Sequence, residues 1–221
     1  MARGVPASNV PEPDDAALAT RWRIHAVVAA SRANGPGMRF TIWSQGCTLG
    51  CPGCFNPGTH PSGWPAEDWP VGKLIAAVAA QASRIEGVTL TGGEPLEQPA
   101  AVAAFCREIR ARTNLGIIIL SGFTQSEIET DPTRMAAVTD ADMIIAGRYN
   151  ASLHLGTGLR GSSNKEYWAR TGRYCARDFA AVPDLEIAVA ADGMITVSGM
   201  PDGMVTFGGM PGQPGGRDLH Q

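Results

Sequence analysis

Residues 39 to 57 read Arg39-Phe-Thr-Ile-Trp-Ser-Gln-Gly-Cys47-Thr-Leu-Gly-Cys51-Pro-Gly-Cys54-Phe-Asn-Pro57. The first six are β-branched, aromatic and apolar, the composition of a strand. The rest is a loop of Gly, Pro and Cys with three thiols inside eight residues. A strand that opens into a chemically loaded loop is the first half of a βα unit, and reactive groups in such folds gather at the C-terminal ends of the strands.

The surroundings repeat that pattern. Ile24 to Ala30 is an apolar run that suits a strand, and Gly35-Pro36-Gly37 marks a turn before Arg39. Gln45 to Trp69 reads as loop. Val71 to Ser83 carries apolar residues at helical spacing. Gly87 to Thr91 is a strand that runs straight into Gly92-Gly93-Glu94-Pro95. Pro99 to Arg112 is a helix with proline in its first turn. Leu115 to Leu120 and Met143 to Ala146 are apolar runs suited to strands buried on both faces. Thr124 to Glu129 and Thr133 to Val138 are short helices between them. Tyr149 to Asp178 reads as mostly irregular. Leu185 to Ala190 and Met194 to Ser198 alternate around Asp192-Gly193, a hairpin signal. Met204 to Phe207 is a candidate third strand.

The expectation is an α/β fold: a partial, open βα barrel of parallel strands with covering helices, plus a C-terminal β-hairpin. Residues 1–20 read as a disordered arm, 21–207 as the barrel domain and 208–221 as a disordered tail. The chain has 221 residues, 44% of them hydrophobic, and a net charge of −3. That size allows one sizeable core. The charge carries no footprint for nucleic acid. There is no apolar run long enough for a membrane span and no secretory leader at Met1 to Asp15. Clustered cysteines without a leader fit a metal site in a reducing compartment better than a disulfide scaffold, so the expected location is the cytoplasm.

The spacing of Cys47, Cys51 and Cys54 is C-x3-C-x2-C. Thiolates bind iron and zinc strongly. Three thiolates leave one iron of a four-iron cluster open to an incoming ligand. Gly46, Gly50 and Gly53 permit the positive φ values that wrapping a cluster demands. Zinc is the alternative, with His60 as a fourth ligand. Cys106, on a helix, and Cys175 read as structural. In Thr91-Gly92-Gly93-Glu94-Pro95, the two glycines expose backbone polar groups, and Glu94 can accept a charge-assisted hydrogen bond from an ammonium group.

Taken together, Gly35-Pro-Gly-Met-Arg-Phe40, the cysteine loop from Gln45 to Pro57, Thr91 to Pro95, Leu120-Ser-Gly-Phe-Thr124, Ala146-Gly-Arg-Tyr149 and Leu159-Arg-Gly-Ser-Ser-Asn164 resemble the radical S-adenosylmethionine enzymes. Within them the resemblance is to the activating proteins of anaerobic ribonucleotide reductase and pyruvate formate-lyase. It implies a [4Fe-4S] cluster on Cys47, Cys51 and Cys54, with S-adenosylmethionine on the open iron. It also implies Gly92, Gly93 and Glu94 around the methionyl ammonium and Ser121 near the ribose. One electron would then give methionine and a 5′-deoxyadenosyl radical that abstracts hydrogen. The residue before Cys54 departs from many members of the superfamily, which carry an aromatic there; Gly53 occupies it here, and Phe55 can supply the packing.

The function this implies is activation of a glycyl-radical enzyme, with flavodoxin or ferredoxin as electron donor. Two alternatives stand beside it. One is radical modification of a small molecule or peptide, favoured by the less similar C-terminal part. The other is a non-enzymatic iron–sulfur or zinc module. Arg39, Asn56, Arg148 and Arg160 are weighed between contacts to ligand and plain structural roles.

Overall fold

The computed structural model describes residues 14–61, 66–189, 193 and 195–199. Its frame is four parallel strands: β2 (Arg39–Ser44), β4 (Gly87–Gly92), β5 (Gly116–Leu120) and β6 (Met143–Ala146). Successive side chains of a strand point to opposite faces, and here the two faces feed two cores. Phe40, Ile42, Val88, Leu90, Ile117, Ile119 and Ile144 join the larger one. There they meet Leu74 and Val78 of α2 (Val71–Ala79) and Val102, Phe105 and Ile109 of α3 (Pro99–Arg112). Ile118, Leu120, Met143 and Ile145 point the other way and are covered by Leu159, Phe179 and Val182. The unbroken apolar run of β5 thus has a physical reason: neither face of that strand sees water.

The helices begin and end where their sequences say. α3 has Pro99 in its first turn and Arg110 and Arg112 in its last, favourable to its dipole. α4 (Gln125–Glu129) opens with a reciprocal cap between Thr124 and Glu127. α5 (Pro132–Ala137) follows Asp131, whose carboxylate accepts from the amides of Thr133 and Arg134. These segments return the chain to the start of the next parallel strand.

The sheet is larger than the parallel frame and mixed at its edges. Its order is β3-β1-β2-β4-β5-β6-β9, with β1 (Arg21–Ser31), β3 (Glu67–Pro70) and β9 (Glu166–Ala169) antiparallel to their neighbours. The expected sheet of parallel strands is corrected here. The tight turn through Gly35-Pro36-Gly37 can only reverse the chain, because a parallel partner needs a crossover of a dozen or more residues. β3 and β9 lie in segments read as loop and as irregular. Glu67-Asp-Trp-Pro70 has no apolar alternation, and its pairing with Arg21–Ile24 comes entirely from tertiary contact.

The expected hairpin is present as β10 (Leu185–Val189) and β11 (Ile195–Gly199), with Ile187 opposite Val197. Short pieces complete the order: β7 (His154–Leu155), β8 (Gly161–Ser162) and α6 (Ala176–Ala180). Part of the stretch read as an arm is a helix, α1 (Asp15–Ala19), with Ala17 buried. Residues 1–13 of that arm, the candidate strand Met204 to Phe207 and the tail lie outside the described residues. Among the described residues no helix is long and apolar enough to cross a membrane.

Candidate metal and cofactor site

The loop that follows β2 carries the three thiols back over the end of the sheet. Its turns need left-handed backbone at Gly50 (φ 59°) and Gly53 (φ 71°), between successive cysteines, where a side chain would add strain. Cys54 N donates to Cys51 O at 3.2 Å and Cys47 N to His60 O at 3.3 Å, so the loop is closed on itself. Cys47, Cys51 and Cys54 are half-buried and free. They line one cleft with Thr91, Gly92, Gly93, Glu94, Ser121, Tyr149, Arg160 and Lys165. The cleft is open on one side and holds a cavity of about 80 Å³.

The two glycines before Glu94 are demanded by the cysteine loop. Gly93 N donates to Ser44 O and Glu94 N to Gly46 O, both at 2.9 Å. A Cβ on Gly93 would overlap the carbonyl of Gly46; on Gly92 it would stand 2.6 Å from Ser44 N. Asn56 finishes the seam, its side-chain amide donating to Gly92 O at 3.4 Å while its own N–H faces Cys54 Sγ at 3.4 Å. The close approach of the two loops is therefore backbone to backbone, which side chains at 92 and 93 would prevent.

Glu94 is 1% exposed. Its Oε1 accepts from Ser121 Oγ at 2.9 Å and from Leu96 N at 2.9 Å, and its Oε2 accepts from Gly122 N at 2.6 Å. Burial pushes its pKa up, while those three donors and the charge of Lys165 pull it back. A carboxylate has about four lone-pair sites, so one remains for a ligand's N–H. Ser121, expected near a ribose, has its hydroxyl engaged by Glu94 and by the amide of Phe123. Burial pushes the Cys47 thiol up to about 11, with Glu94 and Glu97 adding to the rise. Burial also raises Cys54.

The other residues weighed from sequence separate clearly. Arg39 touches no part of the cleft; it is buried and holds Tyr174 and the carbonyls of Val88 and Gly116. Arg148 forms a two-pronged ion pair with Glu127 at 2.9 and 3.0 Å. Cys106 is buried in α3, and Cys175 is exposed at the start of α6. Phe55 packs on Tyr149 (centroids 4.9 Å apart) and His154 (5.3 Å), giving the cleft an aromatic rim. Lys165 and Tyr149 were not among the expected site residues. Both stand at the edges of family-like stretches, with no residue pattern of their own.

The donor set fits an iron–sulfur cube better than a single ion. A zinc ion with bonds of 2.3 Å draws its sulfurs to within about 4 Å of one another. Among the described residues no three His, Cys, Asp or Glu converge that way. Three free thiols lining one cleft, beside a buried carboxylate, match the ligand set of a four-iron cluster with one open corner.

A mixed α/β sheet with three thiols and a buried carboxylate at its strand ends defines an iron–sulfur enzyme. The chain belongs to the 4Fe-4S single cluster domain family, which matches residues 33–168. It is similar to the anaerobic ribonucleoside-triphosphate reductase-activating protein of Enterobacteria phage T4: 29% identical over 145 residues, 62% of this chain and 88% of that one. It is also similar to the pyruvate formate-lyase-activating enzyme of Staphylococcus epidermidis: 32% identical over 95 residues, 41% of this chain and 38% of that one. Among solved structures, QueE from Escherichia coli matches with a TM-score of 0.42 and 13% identity, over 62% of this chain and 75% of that one. The chain is a radical S-adenosylmethionine enzyme whose cofactors are a [4Fe-4S] cluster and S-adenosylmethionine.

Proposed function

We propose that this enzyme activates a glycyl-radical enzyme, in the manner the names of its relatives describe, with Cys47, Cys51 and Cys54 holding the cluster. The observation that carries the reading is the meeting of three free thiols and the buried Glu94 carboxylate in one cleft. The near-complete coverage of the phage relative supports the activase reading over others.

When bound, the two cofactors supply one-electron cleavage of a carbon–sulfur bond and a carbon radical that takes a hydrogen atom. The chain's own residues orient and shield. Glu94 accepts the ammonium of the amino-acid moiety at its remaining lone pair, and the carbonyl of Gly92 lies on the same rim. Ser121 and the amides of Leu96 and Gly122 fix that carboxylate, so it need not reorganise on binding. Phe55 and Tyr149 contribute aromatic faces to the lining of the cleft, which would limit water beside a reacting carbon. The sheet serves as an open part-barrel whose free side admits a peptide loop. The electron donor is flavodoxin or ferredoxin, and the site of action is the cytoplasm.

Anaerobic reconstitution with iron and sulfide, reduction and addition of S-adenosylmethionine tests the enzyme. Production of 5′-deoxyadenosine is expected. A glycyl-radical signal in the paramagnetic resonance spectrum on adding the organism's own glycyl-radical enzyme tests the partner. Turnover without that signal would favour the second reading, modification of a small molecule or peptide. The stretch after residue 168, outside the family match, favours it.

A further inference from the structure

Lys165 reaches the cleft through strand pairing. β9 runs antiparallel to β6 with Glu166 opposite Ala146. Lys165, one residue before β9, therefore arrives beside Gly147, just past the C-terminal end of β6. Gly147 has φ 122°, and a Cβ there would stand 3.5 Å from Lys165 Cα. From that position the half-buried Lys165 side chain lines the cleft with Cys47, Cys51, Cys54 and Glu94. Lys165 is one of two lysines in the sequence.

The charge on Lys165 acts on Glu94, Cys51 and Cys54, while burial works against it and pulls its pKa down. Among the described residues it makes no ion pair. Two other cations lie nearby, and Arg160 also lines the cleft, with its buried Nε lacking a hydrogen-bond partner among the described residues. Arg160 sits over the Tyr167 ring at 5.4 Å, its Nη1 3.5 Å from Ser163 O. Arg148 is held by Glu127. A half-buried ammonium without a partner is costly. The cost is offset once the thiols beside it carry negative charge, which metal ligation requires of them. A compact ammonium on a flexible stem also approaches a sulfur cage more readily than a planar guanidinium.

We infer that Lys165 is a positioning residue that supplies the counter-charge to the iron–sulfur cluster through Cys51 and Cys54, and so raises its reduction potential. The inference rests on the cluster assignment made under Proposed function. Potentials of such clusters respond to net charge, hydrogen bonding and exposure, and adding an electron to an anionic centre is eased by a nearby cation.

The test is a redox titration of the anaerobically reconstituted full chain without S-adenosylmethionine, followed by paramagnetic resonance. Wild type, Lys165→Met, Lys165→Arg and the distant Lys73→Met are compared after iron and sulfide assay. Lys165→Met is expected to lower the reduced-to-oxidised ratio at a fixed potential about tenfold, 59 mV for one electron. Lys165→Arg recovers most of it, and Lys73→Met matches wild type. Equal midpoints in wild type and Lys165→Met, at equal cluster content, would overturn the inference alone. So would weaker S-adenosylmethionine binding at an unchanged midpoint, which would make Lys165 a cofactor contact only. Should Lys165→Met fail to load, Lys165→Gln is read by the same titration with the same two outcomes. A wild-type chain that takes up no cluster, or keeps it after loss of all three cysteines, would overturn the cluster assignment itself.

Discussion

Arg39 Nη1 donates a hydrogen bond to the Tyr174 hydroxyl at 2.8 Å, although 135 positions separate the two residues. The same guanidinium donates through Nη2 to Val88 O at 2.5 Å and Gly116 O at 2.9 Å, and through Nε to Thr89 at 3.2 Å. It ties the starts of β4 and β5 to the segment before α6, at the end of the sheet away from the cysteines. Gly87 and Gly116 make the room: a methyl group on either would overlap Arg39 or Tyr174. Tyr174→Phe should lower stability by about 1 kcal/mol, the worth of one hydrogen bond. Gly116→Ala should lower it by about 2 kcal/mol through overpacking. Urea unfolding under anaerobic conditions measures both, and a wild-type-like Gly116→Ala would contradict the packing described.

Replacing Glu94 tests more than ligand binding. Glu94→Ala leaves Ser121 Oγ and the amides of Leu96 and Gly122 without their acceptor. A loss of about 2–3 kcal/mol is expected from those unsatisfied donors. Glu94→Gln keeps one acceptor oxygen and should lose less stability, yet weaken S-adenosylmethionine binding tenfold or more by removing the charge. Calorimetric titration of the loaded protein separates the two, and undiminished affinity in Glu94→Gln would remove Glu94 from the ammonium site.

Loss of one thiol should dismantle the metal centre. Cys51→Ala is expected to bring iron and sulfide content close to zero after reconstitution and to abolish 5′-deoxyadenosine production. Cys106→Ala, in the core of α3, should leave metal content at the wild-type level. Full iron in Cys51→Ala would refute the ligand set.

Gly93→Ala should act on the same centre at a distance. The added methyl meets the Gly46 carbonyl, so the cysteine loop must shift. Cluster content should fall severalfold while the far-ultraviolet circular dichroism stays near wild type. Unchanged loading would mean that the seam between the loops is not needed.

Acid should loosen the far side of the sheet through Asp142. Its carboxylate accepts from Arg110 Nη2, Ile117 N and Thr171 Oγ1, each at 2.8 Å. Burial works against its charge, but these partners win and hold its pKa below the usual carboxylate value. The folded value lies below the unfolded one, about 3.9. The stabilisation is therefore present above pH 4 and disappears as the pH falls through the folded value. Asp142→Asn should cost about 2–3 kcal/mol at neutral pH and flatten the acid limb of a stability-versus-pH curve. A variant with the same acid limb as wild type would contradict this.

How far the sequence alone reached can be seen element by element. Arg39–Ser44, Pro99–Arg112 and Met143–Ala146 run as the sequence proposes, because alternation at period two, a proline in the first turn and a short apolar run are local signals. α2 ends at Ala79, short of the expected Ser83. Glu67–Pro70 and Glu166–Ala169 carry no such signal; they are strands only because a neighbour offers an unpaired edge. Arg39 shows the other gap: its burial depends on a tyrosine far along the chain, which no local pattern announces.

The sequence by itself determined the chemistry at hand: three thiols spaced for one loop, a Gly-Gly-Glu turn at a strand end, and the alternation that builds a βα frame. Those are short-range facts, written in neighbours a few residues apart. Tertiary structure decided the rest: the antiparallel edges, the two glycines serving a backbone-to-backbone seam, and the arrival of Lys165 in the lining of the cysteine cleft. The physical reason is that register between strands far apart in the chain fixes which side chains share a cleft, and register is set only when the sheet is complete.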